Sequence, residues 1–412
     1  MAGKREFDLV LFGATGYVGK LTAQYVLSVA PAKARIALAG RSFEKLEAVR
    51  ADIGAPEWGI VVADAGDQND LDALAKRTRA VVTTVGPYLR YGLPLVQACA
   101  YAGTHYADLT GEPLFIRDCI DKFEKVARDS GARIVNSCGF DSIPSDLAVY
   151  EIYQQSLADD TGELEDTTLV ASLRGSASGG TIDSARAMME DIGEHPARGR
   201  VLADPYSLSP DPALEPKDRR SDLALRRANT IDPSLDGWVT TFVMANHNSK
   251  VVRRTNGLLG WAYGKNFRYS EVMSVGSSTA APLLAAGVTG ALVGAIATGG
   301  VLSRFGLGRK ALDYVVPKPG SGPSERARDA GWFRMRTFAR TSSGAKYVGT
   351  VGAQGDPGYK ATAVMLGEAG LSLAFDKLTS PAGILTPAAA MGSLLSDRLR
   401  AAGFEVSVER LP

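Results

Sequence analysis

The chain has 412 residues, 45% hydrophobic and 22% charged, with a formal net charge of +1. That length and balance suit a soluble globular protein of two or three domains, and they argue against nucleic acid as the main partner, because phosphate backbones recruit clustered Lys and Arg. Three cysteines (Cys99, Cys119, Cys138) point to a reducing compartment, and three distant histidines (His105, His195, His247) lack metal-ligand spacing, so no metal is expected.

The N-terminal MAGKREFDLV runs directly into an apolar strand without the pattern of a signal peptide, so a cytoplasmic location is expected. Phe7–Phe12 predicts a buried strand. A turn and then a helix over Tyr17–Ala30 follow, with Val18, Leu21, Tyr25 and Val26 at helical spacing up to Pro31. The turn carries Gly13, Gly16 and Gly19 in a G-x-x-G-x-x-G spacing. In a strand–turn–helix unit, Gly13 allows the tight turn and Gly16 lets a pyrophosphate approach the helix N-terminus. Gly19 lets helix and strand pack closely. Thr15, Tyr17 and Val18, between the glycines, belong to the same candidate dinucleotide cradle. The spacing differs from the commoner G-x-G-x-x-G, and a glycine turn without a ligand is the alternative.

Arg35–Ala39 predicts the second strand, whose end is where an Asp or Glu reads the ribose in such folds. Here it runs into Gly40-Arg41-Ser42. Arg41 can fork onto a 2′-phosphate and Ser42 can donate to it, which points to NADP rather than NAD; a solvated surface arginine is the alternative. Gly59–Ala63 ends at Asp64, and Ala80–Val85 runs into Gly86-Pro87-Tyr88. His105–Leu109 and Arg133–Ser137 add two strands, and Leu93–Gly103 reads as a helix. This alternation predicts an α/β fold with a Rossmann-type doubly wound parallel sheet. Its ligands bind past the carboxyl ends of the strands, where Gly13, Arg41, Asp64, Gly86 and Cys138–Gly139 fall, and Pro87 beside Gly86 joins the candidate cofactor residues.

In CGFDSIPSDLAVY, Asp141 or Ser142 would cap a helix from about Pro144, aimed at the cofactor side; a plain capped connection is the alternative. Thr167–Arg174 predicts a strand, and GSASGGTIDSARAMMEDI a helix capped by Thr181. Asp204–Asp236 reads as a long surface excursion, a candidate lid. Trp332–Thr341 and Lys346–Val351 predict a hairpin, Thr386–Gly403 a helix, and Glu405–Val408 a closing strand. The stretch 272–303 has no charged residue. It is open to three readings: a buried or dimer-forming helix, a membrane- or lipid-docking segment, or a membrane span.

Together, VLFGATGYVGKLTAQYV, LAGRS, VGPYLRYGLPLVQACAYAGTHYADLTGE, GFDSIPSDL, SGGTIDS, RRTNGLLGWAYG, GPSERARDAGWF and LTPAAAMG resemble the saccharopine dehydrogenase-like oxidoreductases, in particular the trans-acting enoyl reductases. The resemblance covers nearly the whole chain. It implies an NADP-binding Rossmann domain (1–145), a second α+β domain for substrate or oligomerisation (146–380), and a C-terminal helix and strand returning to the first domain (381–412). It also implies reduction of a double bond in a polyketide or acyl intermediate of complex lipids, of phthiocerol or phenolic glycolipid type, for a partner synthase or its carrier domain. A homodimer and a peripheral contact with the inner face of the plasma membrane are further expectations for the apolar stretch. The alternatives are a saccharopine-type amino-acid reductase, which would bring Arg174 and Asp141 together, and a non-catalytic NADP-binding, lipid-associated protein.

Enoyl reduction asks little of side chains. A hydride reaches the β-carbon, an oxyanion must be stabilised and the α-carbon protonated. Backbone amides near Gly139–Ser142 or Gly180–Thr181 suit the first task, which places Asp141 and Ser142 in the candidate catalytic set. Tyr88, just past the fourth strand, suits the second; ordinary packing is the alternative for it.

Overall fold

The computed structural model describes residues 5–175, 179–217, 224–287, 290 and 322–412. Two sheets organise them. The first has the order β13-β6-β5-β4-β1-β2-β3, formed by Phe7–Phe12 (β1), Ile36–Gly40 (β2), Gly59–Val62 (β3), Thr78–Thr83 (β4), His105–Ala107 (β5), Arg133–Val135 (β6) and Gly383–Leu385 (β13). All its pairings are parallel. Parallel strands are covered on both faces, which is why β1 reads FDLVLF and is buried along its whole length.

Helices Tyr17–Val29 (α1), Phe43–Ile53 (α2) and Thr362–Phe375 cover one face, packing Val26, Leu46 and Leu366 against Leu9, Leu38 and Val82. Helices Gln68–Arg77 (α3), Tyr88–Ala102 (α4) and Pro113–Ser130 (α5) cover the other, with Leu71, Leu95 and Phe115 against Val10 and Val81. The chain leaves β1 toward one face and β4 toward the other. Their neighbouring carboxyl ends therefore open a crevice at the switch point of the winding.

The second sheet has the order β14-β12-β11-β7-β10-β9-β8. Its strands are Leu164–Arg174 (β7), Leu225–Arg227 (β8), Trp238–Thr241 (β9), Arg268–Ser274 (β10), Trp332–Thr341 (β11), Lys346–Gln354 (β12) and Glu405–Leu411 (β14). β7 and β10 run parallel and the other pairs antiparallel. Helix Ile143–Ala158 (α6) packs on its inner face, where Phe333, Met335 and Tyr347 join the core that continues under the first sheet.

Three of the motifs meet at one buried acid. Asp146 of α6 accepts from Thr255 Oγ1 at 2.5 Å and from Ala388 N at 2.8 Å, and Thr255 Oγ1 lies 2.6 Å from Thr386 Oγ1. Next to it, Arg254 donates to Leu208 O at 2.7 Å and to Ile384 O at 2.6 Å. RRTNGLLGWAYG, GFDSIPSDL and LTPAAAMG therefore join the two sheets. Burial pushes the Asp146 carboxyl up to about 7, while its hydrogen bonds favour the ionised form.

Several expectations change. Helix α4 starts at Tyr88, not Leu93, and runs through Pro94. Its start is set from far along the chain, because the Glu112 carboxylate accepts from Tyr88 N at 2.9 Å and Leu89 N at 2.7 Å. Helix Gly179–Glu194 (α7) begins ahead of Thr181. The helix expected over Thr386–Gly403 breaks at Gly392, whose φ of 50° is left-handed, into Pro387–Met391 and Ser393–Ala401. The expected return to the first sheet is made by β13. The closing strand β14 pairs with β12 of the second sheet instead, and its Val406 faces the core.

The described part of Asp204–Asp236 is no lid over the crevice. It carries β8, pairs it to β9 at the sheet edge and buries Leu208, Ala228 and Leu235. Of the stretch 272–303, Val272–Ser274 ends β10, and 288–289 and 291–303 lie outside the described residues. Among the described residues, no helix is long and apolar enough to cross a membrane.

Candidate functional site

The cleft at the β1/β4 switch point encloses about 440 Å³. Its floor is the glycine turn. Gly13 has φ +87°, and an added Cβ there would meet Thr84 Oγ1 and Val85 Cγ2 at 2.8 Å. At Gly19 a Cβ would lie 2.2 Å from Gly13 O. Both are needed for the turn itself. Gly16 differs: its φ of −77° and ψ of 162° suit any residue, and an added Cβ would meet only Gly13 O, at 3.3 Å. The side chain would project into the cleft.

Gly16 is the N-cap of α1 and supplies no side-chain cap, so the first amides of the helix, at Tyr17, Val18 and Gly19, have no partner within the helix. Three residues of the cradle line the cleft with Gly16, namely Tyr17, Val18 and Gly19, and so do Gly86 and Pro87, whose peptide is cis. This donor set, and the space a Cβ would fill at Gly16, fit a dinucleotide pyrophosphate.

The other candidate cofactor residues, Thr15, Arg41, Ser42 and Asp64, do not line the cleft. Thr15 and Arg41 are exposed, Arg41 one residue past β2. Ser42 caps α2, accepting from Lys45 N at 3.3 Å, and its hydroxyl donates to Glu44 at 2.9 Å. Asp64 is exposed and accepts from Gly66 N at 2.8 Å.

The three candidate catalytic residues separate. Tyr88 lines the cleft but is buried. Its hydroxyl donates to Thr83 O at 3.0 Å and accepts from Leu109 N at 3.1 Å, and its ring packs on Phe115. Burial, and then the nearby Asp108 carboxylate, push its hydroxyl well above the usual tyrosine range. Ser142 is wholly buried, makes no side-chain cap and donates to Asn248 Oδ1 at 3.1 Å, away from the cleft lining. Asp141 does line the cleft, and burial pushes its carboxyl up to about 6. Among the described residues, its carboxylate makes no ion pair. Of the amides around it, Phe140 N donates to Thr362 Oγ1 at 3.1 Å and Ser142 N to Gly139 O at 3.2 Å.

The rest of the lining was not read from the sequence. Met188 on α7, Leu202 on Gly199–Ala203 (α8), and Val243 and Met244 just ahead of Ala245–Leu258 (α9) give an apolar wall. Helix α7 is tied to the first sheet's layer by Ser184 Oγ, which donates to Glu112 at 2.5 Å, and by the Arg90–Glu190 ion pair. His247 lies 3.1 Å from Ser137 Oγ through Nε2, and that hydroxyl donates to Thr110 O at 2.8 Å. Burial, and then the Lys250 charge, lower its imidazole to about 3, so it stays neutral at physiological pH. Among the described residues, no Lys or Arg lines the cleft. Arg174, at the end of β7, is not part of it.

Residues 9–135 match the family model described as the saccharopine dehydrogenase NADP-binding domain. Saccharopine dehydrogenase (L-Glu forming) of Saccharomyces cerevisiae superposes over 98% of this chain and 99% of its own, with a TM-score of 0.52 at 12% identity, a likeness of fold alone. Residues 9–135 are thus an NADP-binding domain of the saccharopine dehydrogenase type. The trans-acting enoyl reductase of Mycobacterium ulcerans is 48% identical over 100% of this chain and 99% of its own. That of Mycobacterium tuberculosis is 48% identical over 99% of each. A second M. tuberculosis protein, given the same name provisionally, is 53% identical over 100% of this chain and 99% of its own. The chain belongs to the trans-acting enoyl reductase family.

Proposed function

We propose that this protein reduces the carbon–carbon double bond of an α,β-unsaturated acyl or polyketide thioester, presented by a partner synthase in complex-lipid assembly. One observation carries the choice of substrate: the cleft joins an apolar wall to two carboxyl groups, Asp141 and Asp183, and, among the described residues, has no Lys or Arg. An amino-acid substrate brings a carboxylate that would need one, and the neutral His247 does not supply it. The domain division at 145 and 380 belongs to the same reading.

NADPH, when bound, supplies the hydride to the β-carbon. The chain's own groups do the rest. Met188, Leu202, Val243 and Met244 receive the acyl chain and exclude water. The amides of Gly139 and Asp141, without a protein acceptor among the described residues, face the developing thioester enolate. Asp141, whose carboxyl burial raises to about 6, gives a proton to the α-carbon from its protonated form. Tyr88 and Ser142 have hydroxyls already engaged and serve the framework.

Purified protein should oxidise NADPH with an enoyl thioester on a carrier domain and not with saccharopine-type substrates. Deleting the gene in a producing organism should leave a lipid with one retained double bond. An unchanged lipid profile together with amino-acid turnover would overturn the reading.

Cofactor choice is assigned to Arg41. Arg41→Asp should lower NADPH affinity tenfold to a hundredfold and flatten or reverse the preference over NADH, since a charge-assisted contact is worth about 1.5–3 kcal/mol. Fluorescence titration with both nucleotides measures it. Equal binding of the two by the unmodified protein would remove Arg41 from the role.

A further inference from the structure

The motif GPSERARDAGWF contributes nothing to the cleft lining, yet its described part is built against the cofactor cradle. Ser324 caps the short helix Glu325–Asp329, accepting from Ala327 N at 3.4 Å. The Tyr17 hydroxyl donates to Pro323 O at 2.6 Å and accepts from Arg328 Nη1, which also donates to Pro323 O at 3.0 Å. The Arg328 guanidinium lies over the Tyr17 ring, 5.5 Å from its centroid. Tyr359, another cleft residue, meets the same ring edge-on at 5.2 Å. The loop is held from behind as well, since Asp356 N donates to Arg328 O at 2.7 Å and Gly355 N to Gly331 O at 2.8 Å.

We propose that Arg328 is a phosphate-binding residue for the pyrophosphate bridge of the dinucleotide cradled at Gly16–Gly19. Three observations converge. First, among the described residues, Arg328 has no carboxylate in ion-pair contact; its neighbour Asp329 pairs with Lys360 at 2.6 Å instead. Second, Nη1 makes both of its protein hydrogen bonds. Nε and Nη2 keep their donors with no protein acceptor among the described residues. Third, the bridge is anionic while the cleft lining has no Lys or Arg among the described residues, and a helix N-terminus alone offers only about half an elementary charge. A guanidinium seated on the residue whose backbone N–H opens the cradle supplies the missing counter-charge, and its planar fork matches phosphate oxygens. The contact would also make the second half of the chain a reader of cofactor occupancy.

This inference rests on NADP binding, so the two fail separately. A wild-type protein that did not bind NADPH would contradict the cofactor itself. Titration of nicotinamide fluorescence gives Kd for wild type, Arg328→Met, Arg328→Lys, Arg328→Gln and Tyr17→Phe, with circular dichroism as the check of fold. Arg328→Met should weaken NADPH tenfold to a hundredfold, and Arg328→Lys less. The salt sensitivity of Kd should be shallower in Arg328→Met than in wild type, because one screened contact is gone. Arg328→Gln keeps a donor for Pro323 and covers the case in which Met loosens the loop; it should lose affinity like Met. Tyr17→Phe should lose much less. Wild-type affinity in folded Arg328→Met or Arg328→Gln would overturn the proposal. So would a loss in Tyr17→Phe equal to that in Arg328→Met, which would make Arg328 a support for the tyrosine only.

Discussion

Gly16→Val should abolish NADPH binding and leave a folded protein. The backbone at Gly16 is in the extended region open to every residue, so valine brings no conformational strain. Its Cβ would meet only Gly13 O, at 3.3 Å, and its methyl groups would occupy the space over the free amides of Tyr17 and Val18. Valine is a poorer N-cap than glycine, which costs up to about 1 kcal/mol of stability. A displaced pyrophosphate loses several charge-assisted hydrogen bonds, and the affinity should fall by at least about 100-fold, about 2.7 kcal/mol. Gly19→Ala is the contrasting variant. Its Cβ would lie 2.2 Å from Gly13 O, so the turn itself must open, and the melting temperature should drop. Normal NADPH affinity in folded Gly16→Val would reduce the three glycines to turn residues.

Asp141→Asn should cut kcat by roughly a hundredfold to ten-thousandfold, the range a positioned acid contributes, with NADPH affinity unchanged. The pH dependence has a definite sign. A donor must carry its proton, and burial raises the Asp141 carboxyl to about 6. The active form is therefore complete below that value and is lost as pH rises through it. In wild type kcat should fall on the alkaline side of about pH 6, and in Asp141→Asn that limb should vanish. Tyr88→Phe is the comparison. It leaves Thr83 O and Leu109 N without their partner, so it should cost about 1–3 kcal/mol of stability and little turnover. A pH profile unchanged in Asp141→Asn, with turnover lost in Tyr88→Phe, would return the donor role to the tyrosine.

The first sheet was legible where the signal is local. β1, β2 and β3 are short apolar runs between glycines and polar helices, and the β11–β12 hairpin closes on Gly344 with φ +87°. Helix Thr362–Phe375 was not legible, because it is buried almost all round and shows no apolar stripe. β13 has three residues and exists only through its pairing with β6. The glycine cradle could be placed from spacing alone. Which acid or hydroxyl faces the cleft could not, because the answer depends on partners far along the chain. Asn248 takes the Ser142 hydroxyl, and Thr83 and Leu109 take that of Tyr88. The apolar wall of the cleft comes from α7, α8 and the residues ahead of α9, three segments that come together only in the fold.

β13 and Thr362–Phe375 carry a consequence for the order in which the molecule can be made. After β6 has been synthesised, the nascent chain holds the cradle, both halves of the winding and the strand that opens the crevice. One edge of its sheet, at Arg133–Val135, is still bare, and the face over Leu9 and Val82 lacks the helix that packs there. An unpaired strand edge and an uncovered apolar face are what makes a growing chain prone to association. Both are closed by residues beyond 361, after the whole second sheet except β14 has been made. The first sheet is begun first and finished nearly last, and its completion waits on that of the second sheet except β14.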